Sequence, residues 1–176
     1  MWFKSIPIWI KAIILHIIFI LLHYLYDWFP NPVTTICSGV NESVFQHMKI
    51  GFFAYNLLTL IEFGVIFRAV QDRERYFYSR LFAATYLPLV MMVVYLIGPL
   101  VFNHFESVVA EIIFANVALF ITSLIALVVE KHVEKIKPDL GFKILIVLLF
   151  FISLAQFVLF TFDLPWFDIF AVPPGW

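Results

Sequence analysis

The chain has 176 residues, 64% of them hydrophobic and 13% charged, with a formal net charge of −1 and a mean hydropathy of +1.01. A soluble domain is nearer half apolar and a quarter charged. The composition therefore excludes a soluble enzyme, a nucleic-acid-binding protein and a disulfide scaffold, and it points to an all-α, polytopic membrane protein.

A helix crosses a bilayer core with about 20 apolar residues, and five runs qualify. The first, about 6–26, is too long for a signal-peptide core and has no small-residue cleavage site close behind it, so it reads as an uncleaved span. His16, His23 and Asp27 share one stripe of it. His23 and Asp27 are one turn apart, so the carboxylate could orient the imidazole, or both could face one cation. The second span, about 41–70, opens on the polar run Asn41-Glu42-Ser43-Val44-Phe45-Gln46-His47-Met48-Lys49. Asn41 is a good N-cap and Glu42 suits the positive helix end. Glu42, Gln46 and Lys49 fall on one stripe, which lets Lys49 neutralise Glu42. At about 100° per residue, His47 points about 140° away from Glu42, so Glu42 is expected at the periphery. The third span, about 79–101, contains Pro88 and the Gly98-Pro99 pair, which should bend or end the helix. The fourth, about 108–129, lines up Glu111, Ala115, Ala118, Thr122 and Ala126. Small residues mark the side that packs on other helices, which directs Glu111 into protein. The fifth covers about 140–162. The apolar, Pro-rich tail 163–176 is too short to cross. There is no internal repeat, and residues 1–176 read as one transmembrane domain.

Basic residues alternate between loops. Lys4 and Lys11 precede or enter the first span. Arg68, Arg73, Arg75 and Arg80 follow the second, and Lys131, Lys135, Lys137 and Lys143 follow the fourth. The other loops and the tail carry none. Positive residues stay in the cytoplasm, so the N-terminus is expected inside, the C-terminus outside, and the plasma membrane is the expected location. Trp28, Trp166 and Trp176 then sit at the outer interface, with Trp2 and Trp9 near the inner one.

On that orientation the ionisable groups divide unevenly. The outer half holds His23, Asp27, Glu42, His47, Lys49, His104, Glu106, Glu111, Asp163 and Asp168. The inner basic residues look like ordinary topology signals. Charged groups within a bilayer are costly and usually face a bundle interior or a wet cavity. His23, Asp27, Glu42, Gln46, His47 and Glu111 are accordingly expected to line one outward-facing polar pocket, roofed by the tail 166–176. His23, Asp27, His47 and Glu111 are also the candidate ligands of a divalent metal.

The segment Asn41-Glu42-Ser43-x-x-x-His47-x-Lys49, following a first helix that ends in His, aromatic and acidic residues, resembles an uncharacterised family of small bacterial and archaeal membrane proteins with an outer Pro-rich tail. That family often carries an acid where this chain has Gln46. The resemblance implies a site at this segment and no reaction.

Function follows only in outline. The first reading is an integral membrane protein whose pocket binds a small ligand, a lipid head group or a cation. The alternatives are a metal-dependent intramembrane enzyme and a structural or transporter-associated subunit. Zinc catalysis wants about three His or carboxylate ligands and an open position; the atoms are present, but no His-Glu-x-x-His motif is. The lipid bilayer is the expected partner, with a homodimer or a membrane partner protein beside it and no nucleic acid.

Overall fold

Local signals start most of the helices. Pro7 precedes α1 (Ile8–Trp28), where its fixed φ suits a helix entry. Asn31 caps the short α2 (Pro32–Cys37) by accepting from the amides of Val33 and Thr34. Ser43 Oγ accepts from Gln46 N–H at the start of α3 (Val44–Ile66). α4 spans Arg73–Phe102. Ser107 caps α5 (Val108–Val133) and Asp139 caps α6 (Leu140–Phe162). A 3-10 turn, Asp168–Phe170, follows. These elements come from a computed structural model that describes residues 6–66, 68, 70–102, 105, 107–166 and 168–172. The expectations for Trp2, Lys4, His104, Glu106, the Asp168 side chain and the tail from Pro173 onward fall outside the described residues.

α1, α3, α4, α5 and α6 are each long and apolar enough to cross a membrane, so the protein is an all-helical, multi-pass membrane protein. Two expectations need correction. The second helix begins at Val44 with Ser43 as its cap, and Asn41 instead accepts from Ser43 N–H through Oδ1. The third span does not end at its prolines: α4 continues through Pro88 and Pro99. Pro88 is fully buried, so neighbouring helices enclose the break that a missing N–H creates, as membrane bundles tolerate.

α1, α3, α4 and α5 close into a ring: α1 and α4 each pack on both α3 and α5. α6 lies outside it against α4, and its Phe150 and Phe157 meet Phe52 of α3. Small residues set the closest approaches. A Cβ on Gly98 would stand 2.5 Å from the Phe114 ring, and one on Gly51 would stand 2.9 Å from Met91 Sδ.

One end of the ring is sealed by charge. Lys11 of α1 donates to Glu62 of α3 at 2.9 Å and to Glu130 of α5 at 2.8 Å. Arg80 of α4 lies 3.4 Å from Glu62 and 3.2 Å from Glu130, and it also reaches the half-exposed Glu134. Tyr55 O–H donates to the second oxygen of Glu130, and Arg80 stacks 3.9 Å over the Tyr76 ring. Lys11, Glu62, Arg80 and Glu130 are all buried. Lys11 and Arg80 are therefore more than topology signals: they are the cations of a four-helix ion cluster. Removing one partner of a buried pair strands the other and costs about 3–5 kcal/mol. Glu130→Gln should lower stability by that amount in reversible unfolding from mixed micelles. Glu74→Gln, which removes the partly exposed pair with Lys143, should leave the unfolding midpoint essentially unchanged, because exposed pairs contribute little.

Candidate functional site

At the opposite end of the ring the helices leave a cavity of about 220 Å³, walled by α1, α3, α4, α5 and the segment before α3. Its body is apolar, formed by Phe19, Met48, Met91, Met92 and Leu119 among others. Tyr24 of α1 and Ile112 of α5 line it and are exposed, so the cavity opens between these two helices. Its polar groups are His23, Glu42, His47, Tyr95, Glu111 and Asn116.

Three of these side chains converge. His23 Nε2 and His47 Nε2 are 3.3 Å apart, and each lies 3.4 Å from Glu42 Oε2. α1 supplies His23, the first turn of α3 supplies His47, and the segment ahead of α3 supplies Glu42. His47 Nδ1 lies 2.9 Å from the carbonyl of Ser43, an acceptor only, so Nδ1 carries a proton. In the neutral ring Nε2 is then a lone-pair atom, and only the doubly protonated ring can donate to Glu42 through it. The imidazoles of His23 and then His47 hold the Glu42 carboxyl well below the usual carboxylate range, against the opposing effect of burial. The rings pack face to face or tilted on one another and on Phe19 and Tyr24, which fixes their directions. Across the cavity Glu111 accepts from Tyr95 O–H at 3.4 Å. Below, His16 Nε2 lies 3.1 Å from Asn116 Oδ1 and ties α1 to α5.

Of the six expected pocket residues, His23, Glu42, His47 and Glu111 border this cavity; Asp27 and Gln46 do not. Asp27 is exposed one turn beyond His23. Gln46 is completely buried, accepting from Val40 N–H at 3.4 Å, and its Nε2 has no hydrogen-bond partner among the described residues. Glu42 is not peripheral. It precedes the helix, so the angular separation computed along a helix does not apply to it, and it turns toward α1. Lys49 does not pair with it. Its Nζ donates to Thr35 O at 2.8 Å and Thr161 Oγ1 at 3.1 Å, fastening α2 and α6 to α3. Phe170 sits on Phe45 and Phe160, and no described tail residue lines the cavity. Tyr95, Asn116, Met91 and Met92 were not anticipated. Tyr95 and Asn116 had a signal, as polar groups within apolar spans; the methionines had none.

Over residues 2–172 the sequence matches a family of unknown function. No curated protein and no solved structure matches the chain. Because the match takes in every helix of the bundle, the chain belongs to the family of unknown function DUF6512.

Proposed function

We propose that the protein binds a small amphipathic molecule in the cavity, with its polar group at His23, Glu42, His47 and Glu111 and its apolar body against Phe19, Met48, Met91, Met92 and Leu119. The observation that carries this reading is the make-up of the cavity wall: His23, Glu42 and His47 converge, Glu111 and Tyr95 pair across from them, and most of the remaining lining is apolar. Ligand sites are commonly built this way. The opening between Tyr24 and Ile112 supports entry from the lipid side, where amphipaths are concentrated.

The segregation of Lys and Arg supports an orientation with the N-terminus in the cytoplasm and the C-terminus outside, in the plasma membrane. The connections from α3 to α4 and from α5 to α6 hold Arg68, Lys135 and Lys137, with Arg73, Arg75, Arg80, Lys131 and Lys143 in the helix turns beside them, and the connections from α1 to α3 and from α4 to α5 hold none. The cavity then faces outward. A second reading, metal-dependent chemistry, draws on the same His23–Glu42–His47 wall, and its first requirement is a bound metal.

An alkaline phosphatase reporter fused after Trp176 should be active, as that enzyme is only outside the cytoplasm; an inactive fusion, with an active cytoplasmic reporter at the same position, reverses the orientation. Native mass spectrometry of the detergent-purified protein should show a co-purifying amphiphile. Ala115→Trp, which fills the cavity from α5, should reduce it to background, while Leu148→Trp on the exposed face of α6 should retain it. Equal retention in both variants, or no amphiphile in the native protein, counts against the reading.

A further inference from the structure

We propose that His23 Nε2, His47 Nε2 and Glu42 Oε2 are three ligands of a divalent transition metal of the zinc class, with the fourth position open to the cavity. The inference rests on the reading of the cavity as an accessible site, and it names an ion at one part of its wall.

Geometry is the first support. The three atoms form a nearly equilateral triangle with edges of 3.3, 3.4 and 3.4 Å. A regular tetrahedron with such edges has its centre about 2.0–2.1 Å from each corner, the length of zinc bonds to imidazole and carboxylate. A facial site in an octahedron with the same bonds would need edges of about 2.9 Å. The triangle matches four-coordination, and the described residues supply three corners. The same three residues are the only His, Cys, Asp and Glu group of metal-binding geometry among the described residues.

Proton counting is the second. With His47 Nδ1 protonated by its bond to Ser43 O, neutral His47 offers only a lone pair at Nε2. Glu42 is an acceptor as well. His23 Nε2 can carry at most one proton, and it faces both acceptors. With both imidazoles neutral, the three facing atoms share at most one hydrogen, over separations longer than a good N–H···O bond. A divalent cation satisfies all three at once. Protonation of an imidazole is the competing solution, and the experiment separates the two.

Ligand chemistry is the third. Two imidazoles and one carboxylate suit zinc and its neighbours and disfavour calcium and magnesium, which prefer oxygen ligands. The His47–Ser43 bond is the outer contact that fixes a metal-bound histidine's tautomer and direction. His23 Nδ1 is buried and has no such contact among the described residues, so His23 is the less constrained ligand.

The test uses the intact chain in detergent, stripped with a chelator and titrated with zinc and with cobalt. The expected result is one ion per chain and, for cobalt, the intense visible bands of four-coordination. His23→Ala, His47→Ala and Glu42→Gln should each weaken zinc binding at least about tenfold, since outer contacts alone are worth that much. His132→Ala, an exposed imidazole at the other end, should change nothing. Should a histidine variant fail to fold, the native titration and Glu42→Gln decide the matter. The proposal is overturned if the folded native protein binds neither ion stoichiometrically, if His23→Ala and His47→Ala bind as the native chain does, or if cobalt shows only weak octahedral bands. Loss of zinc binding in Glu42→Gln with the amphiphile retained separates the metal from the cavity ligand. Zinc bound without any amphiphile defeats the earlier reading alone.

Discussion

A bilayer offers apolar side chains no reason to prefer one another over lipid, so helix neighbours in a membrane are chosen by close packing and by polar groups that cannot be left alone. In this protein that choice is made by Lys11, Glu62, Arg80 and Glu130, one from each helix of the ring. Neither acid is neutralised within its own helix, and neither cation has a substitute carboxylate on its own helix that is comparably buried. Each carboxylate meets both cations. Sliding one helix by a turn would strand at least two charges. The cluster therefore sets register as well as adjacency. Tyr55, which donates to Glu130, adds a hydrogen bond that a shifted helix would lose. Burying the ions is itself costly, so the cluster is better understood as a device for specificity than as a net source of stability.

With one end fixed by charge, the other end is free to be shaped by side-chain volume. There the four helices enclose methionines and a cavity, and the wall from α4 lies between two prolines. Met91, Met92 and Tyr95 follow Pro88 and precede Pro99. Each proline removes an N–H that would have bonded the carbonyl four residues earlier, at Ala84 and at Tyr95. Methionine side chains adapt readily to differently shaped neighbours. The bundle thus pairs an end joined by buried ion pairs with an end lined by methionines and a cavity.

The number of spans was legible because it follows from length and hydropathy, which are local. The fifth span was expected at 140–162 and lies at Leu140–Phe162. The ion cluster was not legible. Its bonds join residues 51 and 119 positions apart, and the rule that counts Lys and Arg by loop absorbs Lys11 and Arg80 without asking for partners. Ending the fourth span at Val129 also left Glu130 just outside a helix that continues to Val133. Around the cavity, His23, His47 and Glu111 were legible as costly groups in apolar spans. Asp27 lies exposed near the end of α1, and Gln46 is buried without bordering this cavity, because burial alone does not say which cavity a side chain borders.

The misplacement of Glu42 shows how the local sequence builds the site. Treating the polar segment as one straight helix separates Glu42 from His47 by more than a right angle. The chain avoids that constraint by starting the helix two residues after Glu42. Asn41 Oδ1 accepts from Ser43 N–H, Ser43 Oγ accepts from Gln46 N–H, and Ser43 O lies within bonding distance of His47 Nδ1. Asn41 thus shapes the turn, Ser43 begins the helix and aims the imidazole, and Glu42 is left between them, free of helical geometry and turned toward His23. Lys49, one helical turn beyond Gln46, anchors the same helix to α2 and α6. The spacing of Asn41, Glu42, Ser43, His47 and Lys49 is thus explained by one hydrogen-bonded entry to a helix, whose product is a carboxylate and an imidazole held beside His23 of α1.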